Sequence, residues 1–255
     1  MIRVAAIGDV HFSEDSRERY RPHWKELHHQ ADVFLLAGDL TTHGHPEQIK
    51  ILVDELNEVQ IPVVAVLGNH DYHEDKPHLV RLELERAGVI VLEGESVIVT
   101  VGEGRVGIAG TKGFGGGFPG ACATPFGEPE MKAFVRHTER LAERLADQLA
   151  GLECDHRVAL LHYSPVKETL SGERLEIYPF LGSYLLAEAI DSAGADLVLH
   201  GHAHLGNEKG VTARGVPVRN VAVPVLRHAF AIYHLEKSGV VQPATPLSVP
   251  GETGY

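Results

Sequence analysis

Five short apolar runs, each followed within two residues by an aspartate, asparagine or histidine, constrain this chain more than any other feature. They cover residues 2–7 (IRVAAI), 31–37 (ADVFLLA), 62–67 (PVVAVL), 156–161 (HRVALL) and 197–199 (LVL). Continuous apolar runs of this length suit strands covered on both faces. Helical patterns separate the first three. Residues 17–30 form a polar, helix-compatible stretch with Pro22 at its start. Residues 46–59 carry apolar side chains at 49, 52, 53, 56 and 59, with Pro46 suited to a first helical turn. Residues 76–87 predict a helix ended by Gly88. Strand and helix in alternation predict an α/β fold with a largely parallel sheet.

The pattern changes near residue 89. Runs at 89–92, 96–101 and 106–109 are separated by Gly and Glu with no room for helices, which predicts antiparallel pairing. Residues 113–120 (GFGGGFPG) read as a mobile loop bordering the site, and they lack the lysine and Ser/Thr of a P-loop. Residues 128–149 form an amphipathic helix with charge pairs, and 181–193 a further helix. Residues 211–225 read as a hairpin and 230–235 as a last strand. With no internal repeat or linker, residues 1–241 are expected to form one domain. Residues 242–255, with three prolines, are expected to form a surface or mobile tail.

Composition narrows the partners. Hydrophobic residues at 44% and charged residues at 23% exclude a disordered chain. Lys+Arg 23 against Asp+Glu 35 gives a formal charge of −12, which disfavours broad duplex nucleic-acid binding. The acidic balance favours a small-molecule partner over nucleic acid. No run reaches the roughly 20 apolar residues of a membrane span, and the first run is too short for a signal peptide. Cys122 and Cys154 cannot make a disulfide framework, so a cytoplasmic chain with reduced thiols is expected. The 17 histidines are the one unusual count.

The run ends supply the chemistry. They are Asp9 and His11, then Asp39, then Asn69, His70 and Asp71, then His162, and finally His200, His202 and His204. Sites in open α/β sheets form at the carboxyl ends of strands, so these residues can meet. An Asp/His/Asn set without sulfur suits two divalent ions of Mn, Fe, Zn, Co or Ni, with an aspartate able to bridge them. The i, i+2 spacings of Asp9/His11 and His202/His204 would place both side chains on one side of an extended segment. Glycines 8, 38, 68 and 201 permit close backbone approach.

DVH at 9–11, GD at 38–39, GNHD at 68–71, His162 and GHAH at 201–204 together resemble the calcineurin-like metallophosphoesterase superfamily. The resemblance spans residues 1 to about 235. It implies a sandwich of two β-sheets flanked by helices, in α/β/β/α layers. It implies one metal held by Asp9, His11, Asp39 and His204, and a second held by Asp39, Asn69, His162 and His202. It also implies His70 as general acid with Asp71 in support, orienting or charging its imidazole. The expected activity is hydrolysis of a phosphodiester or phosphomonoester through a hydroxide bridging the metals. A non-catalytic metal-binding scaffold of the same fold is the alternative. A dinucleotide-binding reading lacks its glycine fingerprint after the first strand.

Other residues take blander readings. His200 is expected to pack behind the site. His43, His45 and His73 are read as solvated loop histidines near it, and His28 and His29 as surface. Arg17, Arg19 and Arg21 are read either as a phosphate clamp or as a solvated face.

Overall fold

The structure, a computed structural model, describes residues 1–236 and 239–241. The proline-containing tail expected over 242–255 lies outside the described residues. Period-two burial builds the frame. In β1 (Ile2–Ile7), Val4 and Ala6 join one apolar cluster while Ala5 and Ile7 join another. β2 (Val33–Ala37) divides in the same way, with Val33, Leu35 and Ala37 on one side and Phe34 and Leu36 on the other. A strand with two apolar faces must be covered twice, which is why its sequence reads as a continuous run.

β1, β2, β3 (Val63–Val66) and β4 (Ile90–Val91) pair in parallel. Helices α1 (Pro46–Leu56) and α2 (Pro77–Arg86) cover their outer face through Ile49, Leu52, Leu56, Val80 and Leu84. The second sheet starts with the antiparallel hairpin of β5 (Glu95–Val101) and β6 (Gly104–Thr111). A two-residue ladder joins β7 (Gly117–Phe118) to β8 (Ala121–Cys122). β9 (His156–Leu161) runs parallel to both β6 and β10 (Leu197–His200). β11 (Lys209–Val211) and β12 (Pro217–Asn220) complete this sheet. β13 (Ala231–Glu236) and β14 (Gly239–Val241) close the first sheet beside β1. Helices α3 (Pro129–Ala150) and α4 (Tyr184–Ala193) cover the outer face of the second sheet through Ala142, Leu145, Leu149, Leu186 and Ile190. Val106, Ile108, Val158, Leu160, Leu197 and Leu199 meet the inner face of the first sheet. The layers are α/β/β/α, as the resemblance implied.

Several expectations are corrected. Residues 17–30 hold two single-turn helices, Arg21–Trp24 and Leu27–Gln30, because the chain leaves helical geometry at Glu26 (φ −95°, ψ 3°). β4 is parallel, not antiparallel, because α2 carries the chain back to the starting edge before it. The helix expected over 181–193 starts at Tyr184, after an extended Gly182, and Ser183 accepts the Leu185 N–H. Only the first half of 211–225 is hairpin, since Val223–Leu226 is a helical turn.

The 113–120 segment is packed rather than mobile. Gly115, Gly116, Gly117 and Phe118 are buried. The N–H groups of Gly116 and Gly117 donate to Pro179 O (2.7 Å) and Gly182 O (2.9 Å). A Cβ on Gly115 would strike Pro179 O, and one on Gly117 would strike Ala121 O. These glycines serve close backbone packing, not flexibility.

Candidate metal centre

The carboxyl ends of β1, β2, β3, β9 and β10 converge, and their loops bring all seven expected ligands together. One donor atom from each of Asp9, His11 and His204 lies within 4.8 Å of the other two, and the same holds for Asp39, His162 and His202. A third such set, His11, Asp39 and His70, shares His11 with the first and Asp39 with the second. Asn69 Oδ1 stands 3.0 Å from His162 Nε2.

The i, i+2 pairs do not sit on extended segments. Asp9 (φ 57°), His11 (φ 43°) and His202 (φ 70°) are left-handed, not extended, and so is Asp39 (φ 48°). Among the described residues, four of the seven non-glycine positive-φ positions are therefore site residues. Hydrogen bonds hold them there. Asp9 N–H donates to Gly38 O (2.9 Å) and His11 N–H to Asp39 O (3.1 Å). Glycines make the room. A Cβ at Gly68 would overlap the Asp39 carboxylate, and one at Gly201 the Asp9 carboxylate. One at Gly38 would lie 2.6 Å from His162 Nδ1.

The imidazoles of His162 and His202 are each aimed through one ring nitrogen. His162 Nδ1–H donates to Ala37 O (2.9 Å), which leaves the Nε2 lone pair facing Asn69 Oδ1 and, at 3.3 Å, Asp39 Oδ1. The Nε2 lone pair and Asn69 Oδ1 then face each other with no proton between them. His202 Nε2–H donates to Phe180 O (3.2 Å), freeing Nδ1. His11 Nε2 is buried without a hydrogen-bond partner, 3.7 Å from Asp39 Oδ2. Metal-ligating histidines are oriented in this way by backbone carbonyls. Convergent lone pairs and an orphaned buried nitrogen are what bound cations satisfy, so the donor set fits divalent metals.

Electrostatics agree. Burial lowers His11 and His202 to about 4 and His162 well below its ordinary value, so all three are neutral donors at neutral pH. Burial opposes ionisation of Asp9, but His204 (Nε2 at 2.9 Å) and the fields of His162 and His11 hold its carboxyl below the ordinary range. Burial, then the charges of Asp9 and Asp71, push Asp39 well up. Two buried carboxylates in one site repel unless a cation stands between them.

His70 lies at the rim. Its Nδ1–H donates to Thr42 O (2.8 Å), and its Nε2 is 3.9 Å from Asp39 Oδ2. Asp71 does not touch that imidazole, contrary to its expected supporting contact. Its carboxylate instead accepts Leu40 N–H (3.1 Å), Thr41 N–H (2.9 Å), Thr41 Oγ1–H (2.7 Å) and Gly68 N–H (2.8 Å). Asp71 thus ties the loop that carries Asp39 to the loop that carries Asn69 and His70. The aiming carbonyls of Ala37, Thr42 and Phe180 escaped sequence reasoning because a carbonyl has no residue signature.

The remaining histidines fall outside. His200 is fully buried, its Nδ1 2.7 Å from Gly201 O and its Nε2 2.8 Å from Thr169 Oγ1. The rings of His43 and His73 meet at 5.2 Å and those of His43 and His45 at 6.1 Å, and His45 pairs with Glu74. Arg21 is spent on Glu18 and the Asp54 carbonyl, and Arg17 is exposed.

A probable cyclic nucleotide phosphodiesterase of Pseudoalteromonas sp. (strain SM9913) is 25% identical over 219 residues, 80% of this chain and 71% of that protein. A probable cyclic nucleotide phosphodiesterase of Moraxella catarrhalis (strain BBH18) is 32% identical over 87 residues. That match spans 31% of each protein, so the chain meets less than a third of this relative's length. Among solved structures, phosphopantetheinyl hydrolase from Mycobacterium tuberculosis aligns with a TM-score of 0.66 at 16% identity, over 87% of this chain and 89% of that one. At that identity the likeness is one of fold. The calcineurin-like phosphoesterase family profile matches residues 2–206. The chain belongs to the calcineurin-like phosphoesterase family.

Proposed function

We propose that this protein is a dinuclear metal-dependent hydrolase of small phosphate esters, with a nucleotide-type phosphodiester as its preferred substrate. The observation that carries the reading is the shared Asp39, which stands in two donor sets at once. One metal would be held by Asp9, His11, Asp39 and His204, the other by Asp39, Asn69, His162 and His202. When bound, such a pair supplies Lewis-acid charge against the phosphate oxygens and a water acidified toward neutral pH.

The chain's own groups do the rest. His70, with Nδ1–H committed to Thr42 O, presents Nε2 to the site. In its protonated form it donates that Nε2 proton to the leaving oxygen, a contribution of about 10²–10⁴-fold. Its side chain is 43% exposed, so solvent can reprotonate it after each turnover. Asp71 fixes the two loops rather than moving a proton. The names of the two curated relatives support the diester preference. Among the described residues no helix is long and apolar enough to cross a membrane. A cytoplasmic setting belongs to the same reading, in keeping with Cys122 as an exposed free thiol.

The test is hydrolysis of bis(p-nitrophenyl) phosphate against p-nitrophenyl phosphate and a 3′,5′-cyclic nucleotide. Chelated protein is reloaded with Mn²⁺, Fe²⁺, Zn²⁺, Co²⁺ or Ni²⁺. Diester turnover that returns with metal supports the proposal. Bound metal without turnover of any ester overturns it in favour of the scaffold reading.

A further inference from the structure

One further strand ends at this edge. β6 runs parallel to β9 with Thr111 opposite Leu161, so the residues that follow, Lys112 and His162, leave the sheet at the same level. The chain ties them directly, since Lys112 O accepts both His162 N–H (3.1 Å) and Tyr163 N–H (3.0 Å). Lys112 is only 9% exposed. Its ammonium lies 4.6 Å from the ring centre of Tyr72, 5.2 Å from Phe114 and 5.4 Å from Tyr163.

Two walls of this cage come from the site loops. Tyr72 follows His70 and Asp71, and Tyr163 follows His162. The ring of Tyr163 also packs on that of His202 at 4.4 Å. The ammonium therefore sits one aromatic ring away from a predicted ligand. Among the described residues it makes no hydrogen bond or ion pair. The charges of Glu93 and Asp39 act on it from farther off, and the oxygens of Glu93 already accept Leu67 N–H (3.1 Å) and Tyr72 O–H (2.7 Å). Cation–π contact compensates only part of the desolvation of such a charge. A largely buried cation held by three rings, within the field of Asp39, suits an anionic oxygen of a phosphate ester.

We propose that Lys112, held between Tyr72, Phe114 and Tyr163, is a substrate-binding residue that receives an anionic phosphate oxygen beside the Asn69, His162 and His202 side of the centre. The proposal rests on the phosphoesterase reading. It names a residue that the ligand pattern did not contain, and it adds positive charge where an acidic chain must attract an anion.

Lys112→Met removes the charge and keeps the length of the side chain. Binding of inorganic phosphate to the metal-loaded protein is measured by calorimetry, alongside KM and kcat for the diester and metal content. Loss of one charge-assisted contact should weaken phosphate binding and raise KM by roughly 10–100-fold, with metal content unchanged. Lys112→Arg should recover part of the affinity. A second readout separates this from a structural role. Removing a largely buried charge should raise the Tm of the metal-loaded protein by a few degrees, about 2–4 °C, whereas a structural lysine would lower it. Unchanged phosphate affinity in Lys112→Met, with turnover present in the wild type, overturns this proposal alone. A metal-loaded wild type that neither binds phosphate nor turns over any ester overturns both readings.

Discussion

Asp71→Asn separates the two roles open to this residue, and its cost can be worked from four hydrogen bonds. The carboxylate offers Oδ1 to Thr41 N–H and Oγ1–H, and Oδ2 to Leu40 N–H and Gly68 N–H. An amide has one acceptor and one donor end. Placed toward Leu40 and Gly68, its NH2 faces two buried backbone donors. Placed toward Thr41, the hydroxyl can turn to accept, and only the Thr41 N–H is left facing a donor. The second arrangement is cheaper. It leaves one buried donor unsatisfied, at about 1–3 kcal/mol, and removes charge assistance from the remaining bonds, for a total of about 2–5 kcal/mol. In a chain of this size that lowers Tm by about 4–20 °C. Both tied loops carry proposed ligands, so metal affinity should fall by about 10–100-fold as well. Differential scanning calorimetry and metal titration of the chelated variant read both effects. A variant that keeps Tm and metal affinity but loses turnover would refute the reasoning and return Asp71 to a direct role at His70.

Three further outcomes follow from the same geometry. His70→Ala should keep its metals and lose about 10²–10⁴-fold in kcat, measured beside metal content, and collapse of metal binding would make His70 a ligand. Metal at about 100 times its Kd should add about 2.7 kcal/mol per site and raise Tm by about 5–11 °C for one site, and an unchanged Tm on loading would refute the centre. His200 is lowered by burial to about 4. An unfolded histidine titrates near 6.5, so between about 6.5 and 4 the unfolded chain holds the extra proton and stability falls as pH falls. The Tm of the wild type should therefore drop relative to His200→Gln between pH 7 and pH 5, and parallel curves would contradict the burial argument.

Residues that act through their own identity were legible in the sequence. The runs of β1, β2, β3, β9 and β10 announce themselves because both faces of each strand are covered, and the ligand-type residues stand immediately after them. What was not legible depends on partners far along the chain. The β4 strand has two residues and no pattern of its own, so its direction is set by α2 and by register with β3. The glycines of 113–120 have the composition of a flexible loop, yet Pro179 O and Ala121 O occupy the places where Cβ atoms would stand. Asp71 was read with its neighbour His70, although its bonds reach back to Leu40 and Thr41, about thirty residues earlier. Lys112 follows a strand end as the proposed ligands do, but lysine is not a metal-ligand residue type.

The backbone of the site explains why these positions resist reading by simple geometry. Asp9, His11, Asp39 and His202 all hold positive φ without being glycine. Such conformations cost roughly 1–2 kcal/mol each, so four amount to about 4–8 kcal/mol, a large share of the 5–15 kcal/mol that stabilises an ordinary domain. Strain on that scale persists only where the surroundings over-determine the backbone. Here parallel strands fix each loop at its start, glycines at 38, 68 and 201 let side chains occupy space that a Cβ would fill, and Asp71 ties two loops together. Left-handed turns directly after a strand bend the chain back over its end, so Asp9 and His11 both reach the edge although an extended segment would carry the second one away. The motif residues gather at one edge through left-handed turns and not through strand alternation. The same crowding accounts for His11 Nε2 lacking a protein partner: the fold spends its strain on gathering donors whose missing partner is a cation.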